Sequence, residues 1–120
     1  MADLKGRRLL IIEDEAAITM LIEDLIADLG AVVAGICGRM AEAAVQIQTL
    51  DYDVAVLDVN LNGQQSFGLA KQLIARGKPF VFSTGYGRSV IPEALSGVPI
   101  LQKPFRGAEF AAALHEALDR

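Results

Sequence analysis

Cys37 is the single cysteine of this chain, so no internal disulfide is possible. Its place at the end of an apolar run suits a small buried side chain rather than a redox centre. Basic charge is scarce: 11 lysines and arginines face 15 aspartates and glutamates, a net charge of −4. Nucleic-acid and membrane-surface binding both need basic patches, so neither is expected. Long apolar stretches are missing as well. The purely aliphatic run near the N-terminus covers only Leu9 to Ile12, and two acids follow it. That is neither a signal peptide nor a membrane span, and a cytoplasmic location is the expectation. There is no repeat, low-complexity tract or linker, so the expectation is one domain over residues 1–120.

What is present is a compact-protein composition, 52% hydrophobic, with a regular alternation of element types. Strands are expected at Arg8–Ile12, Val32–Ile36, Val54–Leu57, Phe80–Ser83 and Ile100–Gln102. They are continuous apolar runs, as in a parallel sheet covered on both faces. The segments between them carry the helical period. The first helix places Ile18, Leu21, Ile22, Leu25, Ile26 and Leu29 on one face, with Gly30 as its stop signal. Ala43 and Ile47 mark the second helix, Leu69, Leu73 and Ile74 the third, and Phe110, Leu114 and Leu118 the last. The fourth, within residues 89–98, is weak: Pro92 suits a first helical turn, Gly97 interrupts, and periodic apolar positions are few. Strict alternation with short connections predicts an α/β, flavodoxin-like, doubly wound (βα)5 fold. Its five-stranded parallel sheet has order 2-1-3-4-5.

Polar residues cluster at the C-terminal ends of four of these strands, where open α/β sheets bind ligands. They are Glu13 and Asp14, Asp58, Thr84, and Lys103 with Pro104. Strands 1 and 3 are neighbours in the predicted order, so Glu13, Asp14 and Asp58 share one crevice. Three adjacent carboxylates stay ionised only if positive charge arrives. One Mg²⁺ (or Mn²⁺) and Lys103 balance them. Such a metal takes hard oxygen ligands. Asp14 and Asp58 are the direct candidates, the Asn60 backbone carbonyl is a third, and Glu13 acts through a bound water. Asp58 is the candidate nucleophile toward a phosphoryl group, with Lys103 and the Thr84 hydroxyl neutralising its oxygens.

Taken singly, these residues read blandly. Glu13 or Asp14 can cap a helix. Asp58 can precede an Asn62-Gly63 turn. Thr84 can end a strand, and Lys103-Pro104 can be a loop. His115, the single histidine, lies beside the apolar face of the last helix and reads as a surface residue. The four clusters in this order are what a bland reading does not explain.

In these residues the chain resembles the receiver domain of bacterial two-component response regulators, over essentially its whole length. The resemblance implies that Asp58 takes phosphate from a histidine kinase or a phosphotransfer protein. It also implies that Asn60 supplies a metal carbonyl, that Thr84 is a switch hydroxyl, and that Lys103–Pro104 is cis. Pro79-Phe80-Val81-Phe82-Ser83-Thr84-Gly85-Tyr86 is similar to the signature of the "FAT GUY" subgroup, as is Asp58 to Gly63 with Ser66. That subgroup implies a free-standing regulator, or the end of a hybrid kinase, in general stress signalling with HWE-type kinases as partners. A monomer or weak dimer is the expectation, and the surface near the fourth helix, fifth strand and fifth helix is where a partner is expected, with Arg88, Arg106 and Glu109 as candidate contributors.

Two departures stand out. Ile100 occupies the position where many receivers carry a switch aromatic, and Leu61-Asn62 replaces Met-Pro. Tyr86, between Gly85 and Gly87, has two readings: an alternative mobile aromatic, in a loop expected to reorder on phosphorylation, or a plain surface aromatic. Three competing readings are weaker. A haloacid-dehalogenase-type phosphatase needs a second aspartate at position 60, where Asn cannot serve as acid or base. A flavodoxin-like cofactor binder would meet repulsion between phosphate and Glu13-Asp14-Glu15. A non-phosphorylated scaffold would not need the constellation.

Overall fold

The computed structural model describes residues 3–86 and 90–120. Five parallel strands form the central sheet: β1 (Arg8–Ile12), β2 (Val32–Cys37), β3 (Val54–Asp58), β6 (Phe80–Thr84) and β7 (Ile100–Gln102). Their order is β2-β1-β3-β6-β7, which is the predicted 2-1-3-4-5 order when the sheet strands alone are counted. Four α-helices connect or follow them: α1 (Ala16–Asp28), α2 (Met40–Thr49), α3 (Phe67–Ala75) and α4 (Gly107–Leu118). The Gly30 stop is realised with φ of +72°, a conformation that suits a residue without Cβ.

The sequence expectation of five helices is corrected at the fourth. Among the described residues the β6–β7 connection holds no α-helix, and Glu93–Leu95 forms a 3₁₀ turn. Pro92 precedes that turn in an extended conformation rather than entering it. Gly97 and the sparse apolar period leave little to bury, and tertiary packing supplies most helix stability. A small antiparallel hairpin, β4 (Asn60–Leu61) and β5 (Gln64–Gln65), was not expected. Ile74, placed on the apolar face of the third helix, is 53% exposed because it sits on the last turn, beyond the sheet-facing Leu69, Ala70 and Leu73. His115 is half-buried rather than on the surface, drawn in by its neighbour Leu114.

Strand residues alternate between the two faces of the sheet. Leu9, Ile11, Val54, Val56, Val81 and Leu101 pack with α1 and α4 on one face. Leu10, Ile12, Ala55, Leu57, Phe80 and Phe82 pack with α2 and α3 on the other. Phe82 meets Phe80 and Phe67 edge-on, at centroid distances of 5.4 and 6.1 Å. Such pairs add about 0.5–1.5 kcal/mol each beyond their burial. The two phenylalanines of the signature thus act as core beneath Thr84. Cys37 is buried as expected, and burial, with the Glu42 charge behind it, pushes its thiol up to about 11.

The entry to β1 is clamped to the entry of β3. Asp53 accepts the Arg8 N–H at 2.8 Å and the guanidinium at 3.1 Å, while Asp53 N–H donates to the Arg8 carbonyl at 2.8 Å. The Arg8 side-chain hydrogen bond holds the Asp53 carboxyl below its ordinary value. Its contribution to stability is therefore complete above the unfolded pKa and lost as pH falls through the lower folded one. Asp53→Asn is expected to unfold at lower urea than the parent at neutral pH, with the gap closing in acid. A gap that stays constant with pH would assign the loss to packing instead.

Candidate functional site

The alternation that builds the core also aims the polar side chains. Odd positions of β1 face α1 and α4, as do the even positions of β3 and Leu101 of β7. Continued past the last apolar residue, that parity sends Glu13, Asp58 and Lys103 to the same face. The structure brings them together: Lys103 Nζ lies 3.1 Å from Glu13 Oε2 and 3.2 Å from Asp58 Oδ2. Both carboxylates are nearly closed to solvent, Glu13 at 3% and Asp58 at 3% exposure. Asp58 and Thr84 are the last residues of their strands rather than the first beyond them.

The unexpected hairpin explains how Asp14 is held. Asn62 and Gly63 both have positive φ, +50° and +82°, as a two-residue I′ hairpin turn requires. The turn carries Asn62 N–H to within 2.9 Å of Asp14 Oδ2, and the Asn62 amide donates to the Gly38 carbonyl at 2.9 Å. Ser66 closes the hairpin's far end. Its N–H donates to the Val59 carbonyl at 2.8 Å, and its hydroxyl donates to the Asp58 carbonyl. Asn60 N–H donates to Asp58 Oδ1 at 3.1 Å. The backbone on both sides of Asp58 is therefore fixed.

Asp14, Glu15, Asp58, Asn60, Thr84 and Lys103 line a cleft of about 390 Å³. Thr84 Oγ1 accepts the Tyr86 N–H at 3.0 Å, and the Thr84 carbonyl accepts the Lys103 N–H at 2.8 Å. Lys103–Pro104 is cis, as the resemblance implied. Tyr86 is 73% exposed at the rim. Ile100 pairs with Phe82 across the sheet and packs on the core, so position 100 itself carries no aromatic ring to rotate. Gly87 and Arg88, named for the mobile loop and the partner surface, lie outside the described residues. Glu109 is committed locally: its carboxylate accepts the Arg106 N–H at 3.0 Å at the start of α4.

Among the described residues the electrostatics match an acidic pocket around the Lys103 ammonium. Burial first, then the hydrogen bond and charge of Asp58, push Glu13 up to about 8. Burial, the largest single influence, would raise Asp14, but the hydrogen bonds from Asn62 N–H and its own backbone N–H, with those to Asp58 and Glu13, together outweigh it and hold the carboxyl below its usual range. Burial would also lower the Lys103 ammonium. The hydrogen bond to Glu15 and the charges of Glu13 and Asp58 outweigh that, so its pKa is raised.

The donor set fits a divalent cation. Oxygen atoms of Glu13, Asp14, Glu15 and Asp58 lie within 4.8 Å of one another. Glu13 Oε2 is buried and, despite its proximity to Lys103, receives no aligned hydrogen bond. Hard oxygen ligands of this kind suit Mg²⁺ or Mn²⁺. A second cavity of about 400 Å³, near Ile74, Leu95 and Leu118, is lined by no acidic side chain.

Glu15 was not singled out as a site residue, yet it makes the shortest ion pair with Lys103, 2.9 Å. The only signal for it was a third acid directly after the pair. Asn62 and Ser66 carried only a turn and a resemblance as signals.

Residues 9–115 match the response regulator receiver domain family. The chemotaxis protein CheY of Thermotoga maritima is 25% identical over 116 residues, 92% of this chain and 97% of that protein. The solution structure of SdrG from Sphingomonas melonis Fr1 is 37% identical, with a TM-score of 0.85, covering 98% of this chain and 99% of that one. The BeF3-activated conformation of SdrG, from Pseudomonas melonis Fr1, superposes with a TM-score of 0.81 at 36% identity, over 98% and 99% of the two chains. No helix among the described residues is long and apolar enough to cross a membrane.

Proposed function

Because this chain belongs to the response regulator receiver domain family, and so to two-component signalling, we propose that it is a phosphoacceptor whose Asp58 takes a phosphoryl group from a histidine kinase or a phosphotransfer protein. The observation that carries this is the placement of Asp58. It is a buried carboxylate at a strand end, 3.2 Å from Lys103 Nζ and inside a cluster of acids.

In the reaction the N–P bond of a phosphohistidine breaks as a P–O bond to Asp58 forms, and the imidazole nitrogen keeps the electron pair. The transition state is loose, so the protein's part is positioning and charge neutralisation. Asn60 N–H and the Ser66 hydroxyl hold the Asp58 side chain and carbonyl in place. Lys103 supplies a point charge to a phosphoryl oxygen. The Thr84 hydroxyl donates to another, while its oxygen can still accept the Tyr86 N–H. Glu13, Asp14, Asp58 and the Asn60 carbonyl would hold Mg²⁺ or Mn²⁺, whose chemistry when bound is to neutralise phosphoryl charge.

The consequence is a change in partner affinity, or onward relay of the phosphate, by one receiver domain over residues 1–120. The Pro79–Tyr86 signature supports membership of the "FAT GUY" subgroup, with HWE-type kinases and general stress signalling as its context. The chain serves there as a cytoplasmic monomer or weak dimer.

The test is intact-mass spectrometry after incubation with a small phosphodonor. One phosphate adduct is expected with Mg²⁺ present, and none after chelation. No adduct from either a small donor or a phosphorylated kinase would leave the fold as a scaffold.

A further inference from the structure

A lysine ammonium has three N–H donors. Lys103 has all three engaged: Glu15 Oε1 at 2.9 Å, Asp58 Oδ2 at 3.2 Å and Glu13 Oε1 at 3.3 Å. An arriving phosphoryl oxygen needs one of them, so a carboxylate must let go. The three differ in what release would cost. The Glu13 side chain is 0% exposed and that of Asp58 5%, so neither regains water when its partner leaves. Glu15 is 59% exposed and is rehydrated at once.

The backbone also leaves Glu15 free to swing. It stands at the N-cap of α1 but makes no side-chain capping bond, so its carboxylate is not tied to the helix start. Its N–H donates to Glu13 Oε1 at 3.1 Å, which anchors the main chain while the side chain moves.

We infer that Glu15 is a positioning residue of the unphosphorylated state: its carboxylate occupies the Lys103 donor that a phosphoryl oxygen takes over, and it swings to solvent when Asp58 is phosphorylated. This rests on the phosphoacceptor reading of Asp58. Glu15 then competes with the phosphoryl group. It tunes how readily the phosphorylated state forms without touching the transferred atoms.

Beryllofluoride, a phosphoryl mimic, tests this at saturating Mg²⁺, with binding followed by the backbone N–H signals in NMR. Glu15→Ala is expected to bind it about two- to fivefold tighter than the parent, the range set by an exposed ion pair. Glu15→Gln, which keeps a weaker neutral acceptor, should fall between. Glu42→Gln removes a nearby acid that makes no contact with Lys103, and should change the affinity less. Raising the salt should shrink the difference, because screening loosens the exposed pair in the parent. A Glu15→Ala protein that binds no tighter than the parent, or no tighter than Glu42→Gln, overturns the assignment of Glu15 alone. A parent that does not bind beryllofluoride at all overturns the phosphoacceptor reading, and this inference with it.

Discussion

Asp58→Asn is expected to reduce phosphorylation to background while leaving a folded protein. The amide is isosteric with the carboxylate and keeps an oxygen for the Asn60 N–H, which donates to Oδ1 at 3.1 Å. The Ser66 and Asn60 contacts that hold the chain around it need no charge on the side chain. What the amide lacks is the anionic oxygen that forms the P–O bond. The substitution also removes one negative charge from a cluster whose oxygens lie within 4.8 Å. Without metal, the variant should therefore unfold at a temperature no lower than the parent's. Intact mass and a thermal melt together decide the matter. An adduct that persists on folded Asp58→Asn protein would place the acceptor elsewhere. A collapsed melting temperature would make loss of the adduct uninformative, and an Asp58→Glu variant would then be the check.

Lys103→Ala carries the second large effect, and it acts on both stability and response. Among the described residues Lys103 is the one cation in contact with Glu13, Glu15 and Asp58, and its side chain is 12% exposed. Breaking a buried pair by removing one partner typically costs about 3–5 kcal/mol. Here the loss should be smaller, about 2 kcal/mol without metal, because Glu15 returns to water and Glu13 can take a proton. The sign with pH follows from Glu13, whose pKa in the folded protein is raised to about 8. Between its unfolded value and that point the folded state binds more protons, so stability falls as pH rises. Losing Lys103 pushes Glu13 further in that direction, so the gap between variant and parent should widen toward alkaline pH. Urea unfolding across that range measures it.

The functional effect of Lys103→Ala should be larger. Removing one preorganised charge from a group-transfer site typically costs 10²–10³ in rate, about 3–4 kcal/mol. Asp58 should still accept phosphate slowly, but the phosphorylated variant should fail to show the NMR changes of the phosphorylated parent. An unchanged phospho-dependent spectrum would remove Lys103 from its role.

The central sheet was legible because its signals are local. Leu9–Ile12 and Val54–Leu57 are apolar at every position, which only a strand covered on both faces tolerates. The helices repeat their apolar residues with a 3.6 period. Strand order followed from short connections and their handedness. The hairpin at Asn60–Gln65 was not legible as strands, since two-residue strands carry no measurable period. Its Asn62-Gly63 turn was the readable part. The fourth connection was readable only as weakness: Pro92 and Gly97 argued against a long helix without specifying the 3₁₀ turn that replaces it.

The site divides in the same way. Glu13, Asp14, Asp58, Thr84 and Lys103 are visible in the sequence because each follows a buried run, and the position of a strand's end is a local property. Convergence of Glu13, Asp58 and Lys103 follows from two-residue alternation in strands that lie side by side. What the sequence could not specify is which acid partners which donor. Glu15 and Lys103 are separated by 88 positions and meet at 2.9 Å, and Asn62 reaches Asp14 across 48. Those contacts depend on how far each side chain extends over the rim of the sheet and how much water each retains. Exposure and hydrogen-bond geometry are set by the packed structure as a whole. Periodicity records where a side chain is aimed; only tertiary structure decides what it meets.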